Sequence, residues 1–316
     1  VRTGPLPDTP IEVKVLVLNY DPPSEVEGRT LREVKGFFEP RALTDQYIAD
    51  IDAASNGFIK HRIIEWKEIA AFPTFTDGYT YSLKDYSEAL ESSKFHSPEQ
   101  LDVVKALSDN QVVKRIDENA IDEVWIFGGP GFGLPKRMML GPRAFAVSPI
   151  PPHDFGTQKP FVVMGFSYAK GVAEMVHNLA ERAEASISRV YGGWNPGDLN
   201  SLYARFAASE GQGGGFVGVG TPTWPPNAER AGDYANERIV FSNADGWLKY
   251  PKVDRKPKPV NRDNWSGPDY HRNYIRWWLA RLPKADGQAG DKREHNWWKY
   301  IYRFDAYDAQ GKPVKR

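Results

Sequence analysis

Cysteine is absent from these 316 residues, which excludes disulfides, thiolate metal ligands and cysteine nucleophiles together. No apolar run approaches the ~18–20 residues of a membrane-spanning helix. Histidine is scarce, at six, and only His177 stands in a spaced group with acidic residues. Net charge is zero, with 41 basic and 41 acidic side chains, so a uniformly basic nucleic-acid binder is not indicated. The lack of cysteine leaves the compartment open. The chain opens on Val1 rather than methionine, which suggests a processed or trimmed N-terminus, with no signal peptide present to confirm export.

What is present is a globular composition, 41% hydrophobic and 26% charged, with 28 glycines and 25 prolines that call for many irregular connections. The zero net charge hides an uneven spread. From Lys249 to Arg316 there are 17 basic and 8 acidic residues, which leaves 24 against 33 in the first 248. The same basic stretch holds Trp265, Trp277, Trp278, Trp297 and Trp298, half of all the tryptophan. Basic residues among aromatics suit anionic polymers or sugars. They suit equally well the docking of one part of a protein on another.

Ile11–Asn19, Phe58–Ile69, Ile121–Phe127 and Phe161–Phe166 read as strands. Helical spacing covers Leu43–Ala54, a segment capped by Ser82, a segment opened by Ser97-Pro98-Glu99 through about Ser108, and a long helix after Gly171. Beyond Gly193 come helices over Asp198–Ser209 and Asp269–Leu282, a glycine-rich link at Gly211–Gly220 leading into a short strand, a short run at Ile239–Asn243, and an aromatic strand or helix at Asn296–Phe304. This alternation predicts an α/β fold, a mostly parallel sheet with helices on both faces. Residues 1–195 are expected to form that core. Residues 196–316 form an irregular, basic, aromatic-rich portion packed on it as one structural unit.

The most informative stretch is Phe161–Gly193, where an apolar strand meets a glycine-flanked turn and a long amphipathic helix. Glu174, His177, Glu181 and Glu184 share a sector of roughly 80° on that helix. Carboxylates and an imidazole in one stripe suit acid–base work or a divalent metal, zinc or calcium. Within it His177 and Glu181, four residues apart, can converge on one ion or water. A polar stripe that simply faces water is the competing reading.

Other candidates carry weaker signals. Gly128-Gly129-Pro130-Gly131-Phe132-Gly133 fits no dinucleotide fingerprint and no P-loop, so no nucleotide cofactor is expected and a tight turn is favoured. Ser167 sits between strand and helix as a hydrolase nucleophile would, with Asp245 and His271 following in triad order. Its spacing misses G-x-S-x-G, and a helix cap accepting from the Lys170 N–H is the alternative. The Pro-braced loop Gly220–Asn227, with Asp233 and Tyr234, could offer Trp224 to a sugar face and Asn227 and Asp233 to its hydroxyls. A rigid loop pinned by its tryptophan is the other reading.

Several segments together resemble a poorly characterised family of secreted microbial proteins, often joined to polysaccharide-binding or immunoglobulin-like modules. They are IDEVWIFGGPGFG (121–133), MMLGPRAF (138–145), FVVMGFSYAKGVAEMVHNLAERAE (161–184), RVYGGW (189–194), DYANERIVFSNADGWLKYP (233–251), DYHRNYIRWWLARLP (269–283) and HNWWKYIYRF (295–304). The resemblance implies a site of three histidines, which fall in this chain on His177, Glu181 and Thr223. Two of the three implied ligands are therefore replaced. Together these readings give an extracellular hydrolase-like protein acting on a glycan or cell-wall polymer. Its catalytic group would be Glu181, His177 and Ser167, and its metal group, if it holds one, His177, Glu181, Glu174 and Glu184. Trp224, Asn227, Asp233 and Tyr234 would hold substrate. The alternative is a non-catalytic polysaccharide-binding or assembly-forming protein, with self-association in either case. No nucleic-acid partner and no membrane span are expected.

Overall fold

Every side chain from Val15 to Tyr20 and from Glu123 to Gly128 is buried, as in strands covered on both faces. The computed structural model, which describes residues 8–148, 155–195, 197–212, 215–254 and 256–314, places both in the middle of one sheet. His153, Gly213 and Gly214 lie outside the described residues.

The first half of the chain runs β1 (Ile11–Tyr20), α1 (Leu31–Val34), α2 (Pro40–Ala54), β2 (Ile59–Ile69), α3 (Leu83–Ser92), α4 (Val103–Asp109), α5 (Val112–Asp117), β3 (Glu123–Gly128), β4 (Arg137–Leu140) and β5 (Phe161–Ser167). α6 (Val172–Val190), α7 (Leu202–Ala207), β6 (Val240–Ser242), β7 (Lys258–Val260), α8 (Tyr270–Ala280), β8 (Lys284–Gln288), β9 (Glu294–Asn296) and α9 (Trp298–Tyr302) complete it. Two compact units result. One comprises residues 12–47 and 61–175; the other comprises the described residues up to Ile11, then 48–60 and those from Val176 onward.

The first unit is built on a five-stranded sheet of order β2-β1-β3-β5-β4. β1 pairs with β3 and β3 with β5 in parallel, while the edge strand β4 runs antiparallel to β5. The sheet is thus mixed and mostly parallel, an α/β arrangement. β2 alternates between covered and open positions, as a half-buried strand does. Leu16, Leu18, Val124, Ile126 and Val163 belong to one apolar core cluster. On residues of opposite parity, Trp125 lies edge-on to Tyr47 at 5.1 Å and to Phe166 at 5.9 Å. Gly165 is required within β5, because a Cβ there would stand 2.3 Å from the Pro135 carbonyl oxygen.

Two sequence expectations in this unit need correction. Ser97-Pro98-Glu99 does not open a helix: α4 starts after Asp102, whose carboxylate accepts from the Lys105 N–H at 2.8 Å. Ser167 does not cap α6 either. Its hydroxyl accepts from the Ala169 N–H at 3.3 Å, the Lys170 N–H goes to the Ser167 carbonyl at 3.0 Å, and α6 begins only at Val172. The Gly128–Gly133 segment is a packed turn, with Phe132 buried and the Tyr86 hydroxyl donating to the Pro130 carbonyl at 2.9 Å.

Among the described residues the second unit has little sheet, chiefly the antiparallel pairs β6–β7 and β8–β9. Among the described residues no strand directly follows the glycine-rich link, and the aromatic segment at Asn296–Phe304 resolves as the short helix α9. Aromatic rings supply the core instead. Phe206 lies edge-on to Trp247, Trp278 and Trp297 at 5.1, 5.5 and 5.4 Å. All five tryptophans of the basic stretch are buried, so they hold the fold rather than offer a platform. Much of that stretch's positive charge is spent on acids of the same unit: Arg272 and Arg276 on Asp50, Arg281 on Asp245, and Lys299 on Glu294 and Asp8. Among the described residues no helix is long and apolar enough to cross a membrane.

Candidate functional site

α6 exposes none of its residues fully, so its polar stripe does not face open water. Val176, Leu179, Ala180, Ala183 and Ile187 anchor the helix through its apolar side. The stripe is then divided among separate partners. Glu174 belongs to the sheet unit, where Lys170 at 3.3 Å and Lys136 at 3.7 Å pair with it. Glu184 accepts from the hydroxyl of the fully buried Tyr203 at 3.4 Å. That phenol's pKa is pushed well above its ordinary value by burial, and the Glu184 charge adds to the rise.

His177 is the centre of what remains. Its Nε2 stands 3.6 Å from Glu181 Oε1, and its Nδ1 stands 3.0 Å from Nε2 of His271 on α8 and 3.4 Å from the Tyr234 hydroxyl. The side chains of His177 and Glu181 are 13% and 23% exposed, screened yet within reach of solvent. The Tyr234 ring stacks on His271 with centroids 4.6 Å apart and planes 10° from parallel. Its hydroxyl donates to the Pro222 carbonyl at 3.1 Å. With that proton committed, the Tyr234 oxygen can only accept from His177. Nδ1 of His177 is then the protonated nitrogen, and Nε2 of His271 is the acceptor between them.

The supports of this arrangement are rigid. Asp269 caps α8 by accepting from the Arg272 N–H at 3.0 Å. The Arg272 guanidinium grips the buried Asp50 carboxylate through two bonds, at 2.8 and 3.1 Å, with Arg276 adding a third contact at 3.0 Å. The loop carrying Pro222 is held by the Tyr274 hydroxyl, which donates to the Thr221 carbonyl at 2.7 Å, and by the Trp278 indole, which donates to the Gly220 carbonyl at 2.9 Å. Gly220 itself has φ +82°, and a Cβ there would lie 2.3 Å from the Trp224 carbonyl oxygen.

Other expected site residues are committed elsewhere. Asn227 is fully buried and donates to the Asn236 and Arg238 carbonyls at 3.0 and 2.8 Å, so it ties the loop. Asp233 accepts from the Glu229 N–H and the Asn236 amide. Trp224 is half-buried, its backbone closing a turn with Thr221. Asp245 and His271, two members of the triad order, each have other partners. Asp245 gives its two oxygens to Arg281 at 2.7 Å and Lys258 at 3.1 Å, while His271 is engaged by His177. No group of three His, Asp or Glu side chains suited to a metal ion forms among the described residues. His177 and Glu181 offer one imidazole and one carboxylate, short of the donor set zinc or calcium wants.

Thus His177, Glu181 and Tyr234 come together, whereas Ser167, Glu174, Glu184, Asn227 and Asp233 are each engaged separately. His271 joins them as the partner that spacing could not reveal, since 94 residues separate it from His177. Set against protein-family models, curated proteins and solved structures, the chain matches none of them.

Proposed function

We propose that this chain is a hydrolase-like protein acting on a glycan or cell-wall polymer outside the cell, with the His177–His271 pair as its acid–base centre. The observation that carries the reading is the 3.0 Å approach of the two imidazoles, with the Glu181 carboxylate on the far nitrogen of His177. Such a chain of carboxylate, imidazole and imidazole can hold a proton at one end and release it at the other. His271, its plane fixed by Tyr234, gives the proton on its Nδ1 to the leaving oxygen as its Nε2 receives the Nδ1 proton of His177, whose second proton stays on Nε2 beside Glu181. His177 and Glu181 orient it and steady the charge that develops. The polymer substrate and the extracellular setting rest on the sequence resemblance alone. A metal-dependent variant would need donors beyond His177 and Glu181.

A non-catalytic polysaccharide-binding or assembly-forming protein is the second reading. The internal engagement of Glu174, Glu184, Asn227 and Asp233 favours it, because a stripe satisfied by its own protein has a structural use. Release of reducing ends from a panel of polysaccharides and peptidoglycan separates the two. The hydrolase reading expects activity that falls by about 100-fold or more in His271→Gln, with folding intact by circular dichroism. Wild-type protein inert on every polymer, or a fully active His271→Gln, would remove it.

A further inference from the structure

In the sheet unit β1 ends at Tyr20 and β2 at Ile69, and just beyond them the Asp21 N–H donates to the Ile69 carbonyl at 3.0 Å. Ligands of open α/β sheets bind at such carboxyl ends of strands. Here a cavity of about 340 Å³ lies between Tyr20, Ile69 and one side of α4. Asp102, Lys105, Ala106 and Asp109 recur at helical spacing, which puts all four on the cavity side of that helix, with Asn110 at its end. Tyr20 is 8% exposed and Asn110 9%. The Asn110 amide nitrogen donates to the Ala106 carbonyl at 2.7 Å. Its Oδ1 and the Tyr20 hydroxyl make no hydrogen bond among the described residues, and neither atom is sealed off from accessible surface. The phenol also feels both carboxylates: burial first, then the charges of Asp109 and Asp102, push its pKa up to about 12.

The lining is rich in acceptors. Asp102 gives one oxygen to the Lys105 N–H at 2.8 Å, and Asp109 gives one to the Lys105 ammonium at 2.9 Å. Each carboxylate keeps a second oxygen, and Asn110 Oδ1 can only accept. Lys105 neutralises one of the two acids, so one negative charge remains. An anion is repelled there, whereas a positively charged N–H donor answers both the charge and the acceptors. Two carboxylates already sharing a lysine are too few for a hard metal ion, so the cation is an organic one. Ile69, Phe72 and Leu101 provide apolar wall for its hydrocarbon part. We propose that this cavity binds a small primary amine as its ammonium ion. Its N–H groups donate to Asn110 Oδ1, the Tyr20 oxygen and the Asp109 carboxylate, and its apolar body lies against Phe72 and Leu101. The site uses no residue of the His177 cluster and stands or falls apart from the hydrolase reading.

Isothermal titration of the full chain at neutral pH with phenethylammonium, 2-phenylethanol, phenylacetate and phenethyltrimethylammonium tests it. Phenethylammonium should bind saturably, with a Kd on the order of millimolar for so small a ligand. The neutral alcohol and the anion should each bind at least about 10-fold more weakly. So should the trimethylated cation, which has the charge but no N–H to give. Tyr20→Phe keeps the ring and breaks no internal hydrogen bond, so it should unfold at the wild-type urea concentration yet weaken phenethylammonium by about 10-fold. Asp109→Asn, at an exposed ion pair, should fold equally well and weaken it too. Absence of saturable phenethylammonium binding, the alcohol or the anion binding as tightly, or indifference to either substitution overturns the proposal. The trimethylated cation binding as tightly overturns the primary-amine assignment.

Discussion

The two units solve the problem of stability differently. The sheet unit relies on a backbone ladder and on the strands β3 and β5, whose side chains are almost all apolar and buried. The second unit has two small hairpins and closes its core with indoles, buried ion pairs and side-chain donors that tie loop carbonyls. Aliphatic burial is indifferent to pH and tolerant of local change. A core of tryptophans and charges is directional, and each member needs its partner. The candidate acid–base centre belongs to the second kind of packing, which can place polar groups where an aliphatic core cannot.

The largest expected contrast comes from breaking a buried charge cluster. Lys299, 1% exposed, reaches Asp8 at 2.6 Å and the fully buried Glu294 at 3.0 Å. Lys299→Met strands a carboxylate in the interior and should destabilise by about 3–5 kcal/mol, measured by urea unfolding. Arg32→Met in the sheet unit, which frees Asp21 from its 2.8 Å partner, should cost clearly less. Equal costs would break the comparison.

Next in size is Trp278→Phe. It keeps an aromatic ring but loses the bond to the Gly220 carbonyl, at roughly 1–3 kcal/mol for the acceptor left behind. The change should also loosen the loop that carries Pro222 and shift the Tyr234 ring resonances in NMR spectra. A stable variant with unmoved Tyr234 signals would show that the loop is held by other contacts.

Alkali should act strongly on the second unit through Tyr203 and Tyr274. Burial raises both phenols well above the ordinary value, while an unfolded phenol ionises near pH 10. Above that pH the unfolded chain binds fewer protons than the folded one. Stability is therefore fully present below pH 10 and lost as pH climbs toward the folded pKa. Absorbance at 295 nm should show these two tyrosines ionising only as the protein unfolds. Free titration in the folded state would contradict their burial.

The smallest effect is expected in acid. Burial tends to raise the Asp245 carboxyl, but hydrogen bonds from Arg281 and Lys258 outweigh it and hold the pKa below the usual carboxylate value. Its contribution is present at neutral pH and lost as pH falls through the folded pKa. Because Asp245 is partly open to solvent, screening keeps the effect of Asp245→Asn below about 1 kcal/mol. That difference should vanish in strong acid.

Much of the sheet unit was legible because its signals are local. Unbroken apolar runs revealed the central strands, and Ser82 announced α3 by accepting from the Asp85 N–H. The start of α4 was misplaced because Asp102 and Ser97 are both competent caps, and sequence does not say which hydroxyl or carboxylate finds an N–H. The edge strand β4, only four residues long, carries too short a pattern to declare itself. At the site, helical spacing placed His177 beside Glu181 and the loop placed Tyr234 nearby in sequence terms. The covering of the stripe, the choice of His271, and the cavity around Tyr20 depend on contacts between residues far apart in the chain, for which periodicity has no signature.

The proton between the two imidazoles decides how the His177–His271 pair can work. Long-range ¹H–¹⁵N correlation of the histidine rings at neutral pH reads it directly. The expected result is a protonated Nδ1 on His177 and an unprotonated Nε2 on His271, with the His177 pattern changing in His271→Gln. A proton found on Nε2 of His271, or a His177 ring unaffected by that substitution, would contradict the arrangement.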